Sequence, residues 1–225
     1  MRLQLLSCLS FFFLTAAAQD VDCDCSQTVT IQRFLVKDSH PETLDEITEA
    51  MSEFKAAHSD EIDAAFFGVV PDTSPVVAEQ AFLWHSPADS SLDVAGPFLR
   101  FSTTGELNNS ATAILPNKTS VYEAFRAPVT ETIIQNIVPG SDLELLEAVS
   151  AYLSVNIRFY KDGYGSSIGW EYNGTRRIVL DGWATLTASD EWFEGLRNVS
   201  AAVYGVLDTT IVNMDPLYKP LTEID

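Results

Sequence analysis

Residues 30–36 (Thr-Ile-Gln-Arg-Phe-Leu-Val) return 102 positions later, over 132–138, as Thr-Ile-Ile-Gln-Asn-Ile-Val. Across 30–44 and 132–146, six of fifteen positions are identical. Similarity at a fixed offset constrains the chain to two alike units. The repeat also carries local signals. Ser39-His-Pro-Glu42 and Ser141-Asp-Leu-Glu144 both read as S-x-x-E capping boxes. After each, apolar residues recur every three or four positions: Leu44, Ile47, Met51 and Phe54, then Leu146, Val149 and Leu153. That spacing predicts an amphipathic helix in each copy.

The order of elements continues in parallel. Ile62–Val70 and Val76–His85 read as strands separated by Pro71-Asp-Thr-Ser-Pro75, and Tyr164–Tyr172 and Arg177–Thr185 answer them around the Asn173-Gly174 turn. Trp192, Leu196, Val199, Val203 and Val206 predict one long helix, with a closing strand over Thr209–Met214. The first copy is less regular: a weak helix near Leu92–Phe101, a polar loop, then a strand at Val121–Arg126. Each half therefore reads β-α-β-β-α-β, a ferredoxin-like unit with one sheet face bare. The expectation is an α+β fold in which halves 28–127 and 128–216 form a pseudo-dimeric α+β barrel. Their bare faces shield each other and leave room for a guest. A tail, 217–225, follows.

Arg2, an apolar run from Leu3 to Leu14, and Ala16-Ala17-Ala18 have the layout of a cleavable signal peptide over 1–18. The protein is thus expected to be secreted, with no membrane association after signal cleavage. Four Asn-X-Ser/Thr sequons, at Asn108, Asn117, Asn173 and Asn198, mark glycosylation candidates. Of three cysteines Cys8 leaves with the signal, so Cys23 and Cys25 remain in an arm over 19–27, as a local or interchain disulfide. Thirteen basic against 32 acidic residues give a net charge of −19. Such a field opposes nucleic-acid binding.

With the stretch Ile178-Val-Leu-Asp-Gly-Trp183-Ala-Thr-Leu-Thr-Ala-Ser189-Asp-Glu-Trp-Phe193 and the two strand–helix openings, the chain resembles the antibiotic-biosynthesis-monooxygenase-like (ABM) domains of the dimeric α+β barrel superfamily. The resemblance covers about residues 28–215. Members include cofactor-independent monooxygenases of polycyclic phenols, haem-degrading enzymes, polyketide cyclases or decarboxylases, and proteins without known activity. The resemblance implies a first-strand Asn and a third-strand Trp that position substrate, here Asn136 and Trp183. The first half has Phe34 and Trp84 at the matching places. The histidine of the haem-degrading members has no counterpart in the second half. No cofactor and no metal site are expected.

From the residues themselves, His85 at a strand end is the best-placed general acid/base, or else touches solvent. Trp170 and Trp183, on neighbouring strands, stack a flat ligand or fill sheet core. Asn136, an amide in an apolar strand, needs a partner if buried; Arg33 is the matching outlier in the first half. His58 and His40 read as helix-end and exposed residues. Two functions follow: an ABM-type enzyme that oxidises or cyclises an aromatic secondary metabolite, or a non-catalytic secreted protein binding a hydrophobic ligand or a protein partner. The expected state is a monomer with an internal pseudo-dimer, or a homodimer.

Overall fold

The computed structural model describes residues 26–36, 38–70, 75–87 and 89–224, without the side chains at 198, 199 and 212–215. The signal segment, Cys23, Cys25 and the Asn198 side chain lie outside the described residues. The first group of elements is β1 (Gln27–Val36), α1 (Pro41–Ala57), β2 (Ile62–Val69), β3 (Val76–Trp84), β4 (Asn109–Leu115) and α2 (Lys118–Phe125). The second is β5 (Val129–Ile137), α3 (Leu143–Arg158), β6 (Gly163–Glu171), β7 (Arg176–Trp183), α4 (Leu186–Val199), α5 (Ala201–Thr210) and β8 (Ile211–Lys219), followed by the short β9 (Thr222–Glu223).

Among the described residues these strands form one nine-stranded sheet in the order β8-β5-β7-β6-β4-β1-β3-β2-β9. All its pairings are antiparallel. The seam between the two groups is short, with only Ala113↔Glu171 and Ile114↔Trp170 joining β4 to β6. Gly169 permits it, because a Cβ there would meet the Ile114 carbonyl oxygen at 1.9 Å.

The sheet curls into a half-barrel. Strands buried on both faces need apolar residues at odd and even positions alike. In β1, Val29 and Ile31 enter one core while Phe34 and Val36 enter another. The first core lies inside the curl and joins both groups: Ile31, Phe66 and Leu83 meet Ile134, Ile178 and Leu180. The other two lie under the helices, around Ile47, Met51 and Phe98 in one group and Leu146, Trp192 and Val203 in the other. The inside of the curl is filled. Val121, Ala124 and Phe125 of α2 plug it, and Phe125 stacks on Phe66 at 4.8 Å between ring centres. Gly165 and Gly182 admit the helix, for a Cβ at either would strike α2 backbone below 3 Å. A buried charge cluster adds to the plug. Glu79 on β3 meets Arg33 Nε and Lys219 Nζ, each at 2.7 Å, and Arg33 also donates to the Thr132 carbonyl at 2.8 Å. The guest space expected between facing sheets is thus occupied by side chains.

Four local expectations are corrected. Val121–Arg126 is not a strand. Asn117, at φ 62°, accepts a hydrogen bond from Ser120 N and starts α2. The strand lies earlier, where Ala111, Ala113 and Leu115 alternate inward. The single long helix is broken at Ser200 into α4 and α5, and its closing strand starts at Ile211. The caps are His40, whose side chain makes no capping bond, and Asp142, which accepts from Leu145 N, rather than Ser39 and Ser141. Finally, the repeat changes offset. The helices α1 and α3 start 102 residues apart, but β1 and β5 end 101 apart, the extra residue falling in the loop with Gly140 at φ 80°. A one-residue slip moves a side chain to the other sheet face. Phe34 therefore matches Gln135, not Asn136, and Arg33 matches Ile134.

Candidate functional site

Corrected pairing explains why the helices of the second group leave a cavity over β5 and β7. Trp84 stands opposite Thr28, and Trp183 opposite Val129. Both indoles donate to the residue two places further along the first strand, Trp84 to Thr30 and Trp183 to Glu131, each at 2.9 Å. From this anchor, the cross-strand pairs Thr30–Phe82, Gln32–Gln80 and Phe34–Ala78 correspond to Glu131–Asp181, Ile133–Val179 and Gln135–Arg177. In the first group Phe34, Phe82 and Phe98 fill the space under the helix, Phe82 and Phe98 lying 6.1 Å apart. In the second, Gln135 and Asp181 replace two of those rings. A cavity of about 500 Å³ results.

Its floor is β5 and β7, with Ile133 and Val179 at the centre. Leu153 and Ile157 of α3, Trp192 and Phe193 of α4, and Tyr204 and Leu207 of α5 close over it. Tyr218 of β8 lines one side. Trp192 and Phe193 meet edge to face at 4.9 Å, a rigid aromatic wall.

Polar groups stand at both ends. Glu131 and Asp181 are register partners, fully buried, with like charges on one face. Such partners have Cβ atoms about 5 Å apart. Burial pushes Glu131 above the usual carboxyl range, partly offset by hydrogen bonds from Tyr218, Trp183 and Ser189. Burial pushes Asp181 well above that range, and the neighbouring Glu131 pushes it further. Glu131 Oε1 and Asp181 Oδ1 have no hydrogen-bond partner among the described residues. The pair behaves as a coupled acid that resists losing its second proton. Burial and Glu131 also raise the Tyr218 phenol, so it stays a hydrogen-bond donor at neutral pH.

Four residues along β7 on the same face, about 13 Å away, stands Arg177, 1% exposed. Its Nε donates to Gln135 Oε1 at 2.5 Å and its Nη1 to Ser150 Oγ. The guanidinium lies 5.9 Å from the Trp170 ring centre. Burial lowers its pKa to about 10, which leaves it cationic at neutral pH.

The residues singled out from sequence are dispersed. Trp183 is buried beneath the cavity and holds Glu131 in place. Trp84 does the same for Thr30 in the core under α1. Trp170 pairs with Arg177, whereas Trp183 pairs with Gly163, seven residues away along the ladder. The two indoles cannot sandwich one ring. Trp170 instead lines a separate groove with Ser150 and Val155. Asn136, half-buried, pairs with Arg176 and lies on the face opposite Gln135, outside the cavity lining. His85 is 47% exposed beyond the end of β3, its Nδ1 3.9 Å from Asp63 Oδ1. His58 stacks on Phe54 at 4.6 Å, and His40 is exposed. Of the sequons, Asn108 and Asn173 are exposed, while Asn117 is half-buried. Glu131, Asp181, Gln135 and Arg177 were not anticipated. Their signal is a charge or amide inside a strand otherwise apolar on both faces, the rule that singled out Asn136.

No group of three metal-ligating side chains occurs among the described residues, and no described helix is long and apolar enough to cross a membrane. No family profile and no curated protein matches the sequence. Solved structures do. An anthrone oxidase-like protein matches with TM-score 0.64 at 14% identity, over 89% of this chain and 92% of its own. A proposed monooxygenase from Fusobacterium nucleatum matches with TM-score 0.62 at 10% identity, over 89% and 95%. A chlorite dismutase variant from Candidatus Nitrospira defluvii gives 0.59 at 9%, over 89% and 92%. This chain shares their fold. None of the described cavity-lining residues is His, Cys or Met, and all three histidines precede residue 86.

Proposed function

We propose that the second-group cavity binds an aromatic guest and that the chain is an ABM-type, cofactor-independent oxygenase. The observation that carries this reading is the coupled Glu131–Asp181 pair facing an aromatic-walled cavity. A base with a pKa raised towards neutrality is suited to take a proton from weakly acidic carbon. One carboxylate of the pair deprotonates the activated methylene of an anthrone-like phenol, and the partner carboxyl and Tyr218 donate hydrogen bonds to its oxygen. The carbanion passes electrons to molecular oxygen. One oxygen atom stays on carbon as a ketone and the other leaves as water, so CH₂ plus O₂ becomes C=O plus H₂O. The fold shared with the anthrone oxidase-like protein and the proposed monooxygenase supports this chemistry.

On the same reading the two groups are tandem ferredoxin-like halves forming a pseudo-dimer in one chain, as their strand orders β4-β1-β3-β2 and β8-β5-β7-β6 support. The chain is exported and glycosylated, with Asn108 and Asn173 the exposed described sequons.

The test is anthrone in air-saturated buffer, following quinone formation and oxygen uptake. Wild type should exceed the uncatalysed rate, and Asp181→Asn or Glu131→Gln should reduce kcat at least about 100-fold while the guest still binds. Saturable binding without turnover would replace the enzyme reading with that of a carrier.

A further inference from the structure

We propose that Arg177 is an anion subsite and that the natural guest is an aromatic carboxylate, held with its carboxylate on Arg177 and its far end at Glu131–Asp181. This rests on the cavity reading above and is independent of the oxygenase chemistry.

The chain has 32 acidic residues. Yet among the described residues no carboxylate lies within salt-bridge distance of the Arg177 guanidinium, whose partners are the neutral Gln135, Ser150 and Trp170. The other buried guanidinium, Arg33, is paired with Glu79 at 2.7 Å. Burying a cation without an anion is costly. In so acidic a chain, leaving one bare at a cavity wall reserves it for a charge supplied from outside.

The donors are arranged for that purpose. An arginine carries five N–H groups in a planar fork. Gln135 and Ser150 fix Nε and Nη1 and so lock the plane. Nη2 meets no acceptor among the described residues. A carboxylate is the anion that a fork of this geometry binds best.

The rest of the cavity sets orientation. Glu131, Asp181 and the nearby Asp190 of α4 make the opposite end hostile to an anion. Between the ends lie Ile133, Val179, Trp192 and Phe193, which suit fused rings. A span of about 13 Å accommodates a guest of three linearly fused rings with a terminal carboxylate.

The test compares anthracene-2-carboxylate with its neutral amide by isothermal titration against the full chain at neutral pH. Wild type should prefer the carboxylate by about tenfold or more. Arg177→Met should erase the preference and leave the amide's affinity unchanged. Asp181→Asn should keep the preference even if it abolishes turnover, so loss of the oxygenase reading and loss of this one are separable. Leu153→Trp, which fills the cavity, should abolish both ligands' binding. Equal binding of the two ligands by wild type would overturn the proposal, and this outcome needs no variant to fold. Carboxylate binding that survives in Leu153→Trp would overturn it too, by placing the anion elsewhere.

Discussion

Replacing Glu79 with Gln should be among the most damaging isosteric changes in this chain. The Glu79 carboxylate has no exposure and is met by Arg33 Nε and Lys219 Nζ at 2.7 Å each, with Thr132 Oγ1 2.8 Å from Oε2. Arg33 comes from β1 and Lys219 from β8, so one carboxylate binds cations from both groups of strands across the inside of the curl. The amide keeps the shape and removes the charge, leaving two buried cations facing each other. Breaking a buried ion pair in this way costs about 3–5 kcal/mol. Each kcal/mol moves the midpoint of a domain of this size by about 2–4 °C, so the expected fall is roughly 6–20 °C. Calorimetry and urea titration at pH 7 would measure it. The triple variant Arg33→Met, Glu79→Leu, Lys219→Met should recover most of the loss, because apolar residues of similar volume replace a buried ion cluster at little cost. A loss under about 1 kcal/mol for Glu79→Gln, or a triple variant no better than the single, would refute the account of the cluster.

The carboxyls predict opposite pH behaviour. Burial pushes Glu79 up, but Lys219 and Arg33 outweigh it and hold the group below its ordinary value, so its contribution is present above the unfolded pKa and lost as pH falls through the folded one. Asp181 is raised by burial and by Glu131. The native state then holds a proton the unfolded chain has lost, and stability drains away as pH rises from the unfolded pKa towards the folded one. Asp181→Asn should therefore match wild type in thermal melts near pH 4 and exceed it near pH 8; a difference independent of pH would contradict the reading that burial and Glu131 raise this carboxyl. Gly169→Ala drives a Cβ into the Ile114 carbonyl at the β4–β6 seam and should cost about 1–3 kcal/mol or more in urea titration. Gly195→Ala on α4, where a Cβ meets nothing within 4 Å, should gain up to about 1 kcal/mol. Phe66→Ala removes one ring of the Phe66–Phe125 stack and should cost about 3–5 kcal/mol in the same assay.

The strand and helix order of the second group was largely legible because its signals are local: alternation in β6 and β7, the Asn173-Gly174 turn, and the apolar stripe of α3. β4 and α2 were not, since polar Ser110 and Thr112 hide the inward Ala111 and Ala113, and the helix start depends on one left-handed Asn117. The site was obscured by a subtler fault. Aligning the repeat at 102 fits the helices but slips the strands by one, and because side chains alternate, that slip exchanged Gln135 for Asn136 and hid the correspondence of Phe34 and Phe82 with Gln135 and Asp181. Only cross-strand pairing fixes the register. That pairing is non-local, and no window of sequence contains it.

A crystal structure of the protein grown with anthracene-2-carboxylate tests the account most directly. The rings should lie between Val179 and the Trp192–Phe193 wall, with the carboxylate on Arg177 and the far edge at Asp181. Density in the Trp170–Val155 groove or inside the curl, with the space over β5 and β7 filled by protein, would contradict it.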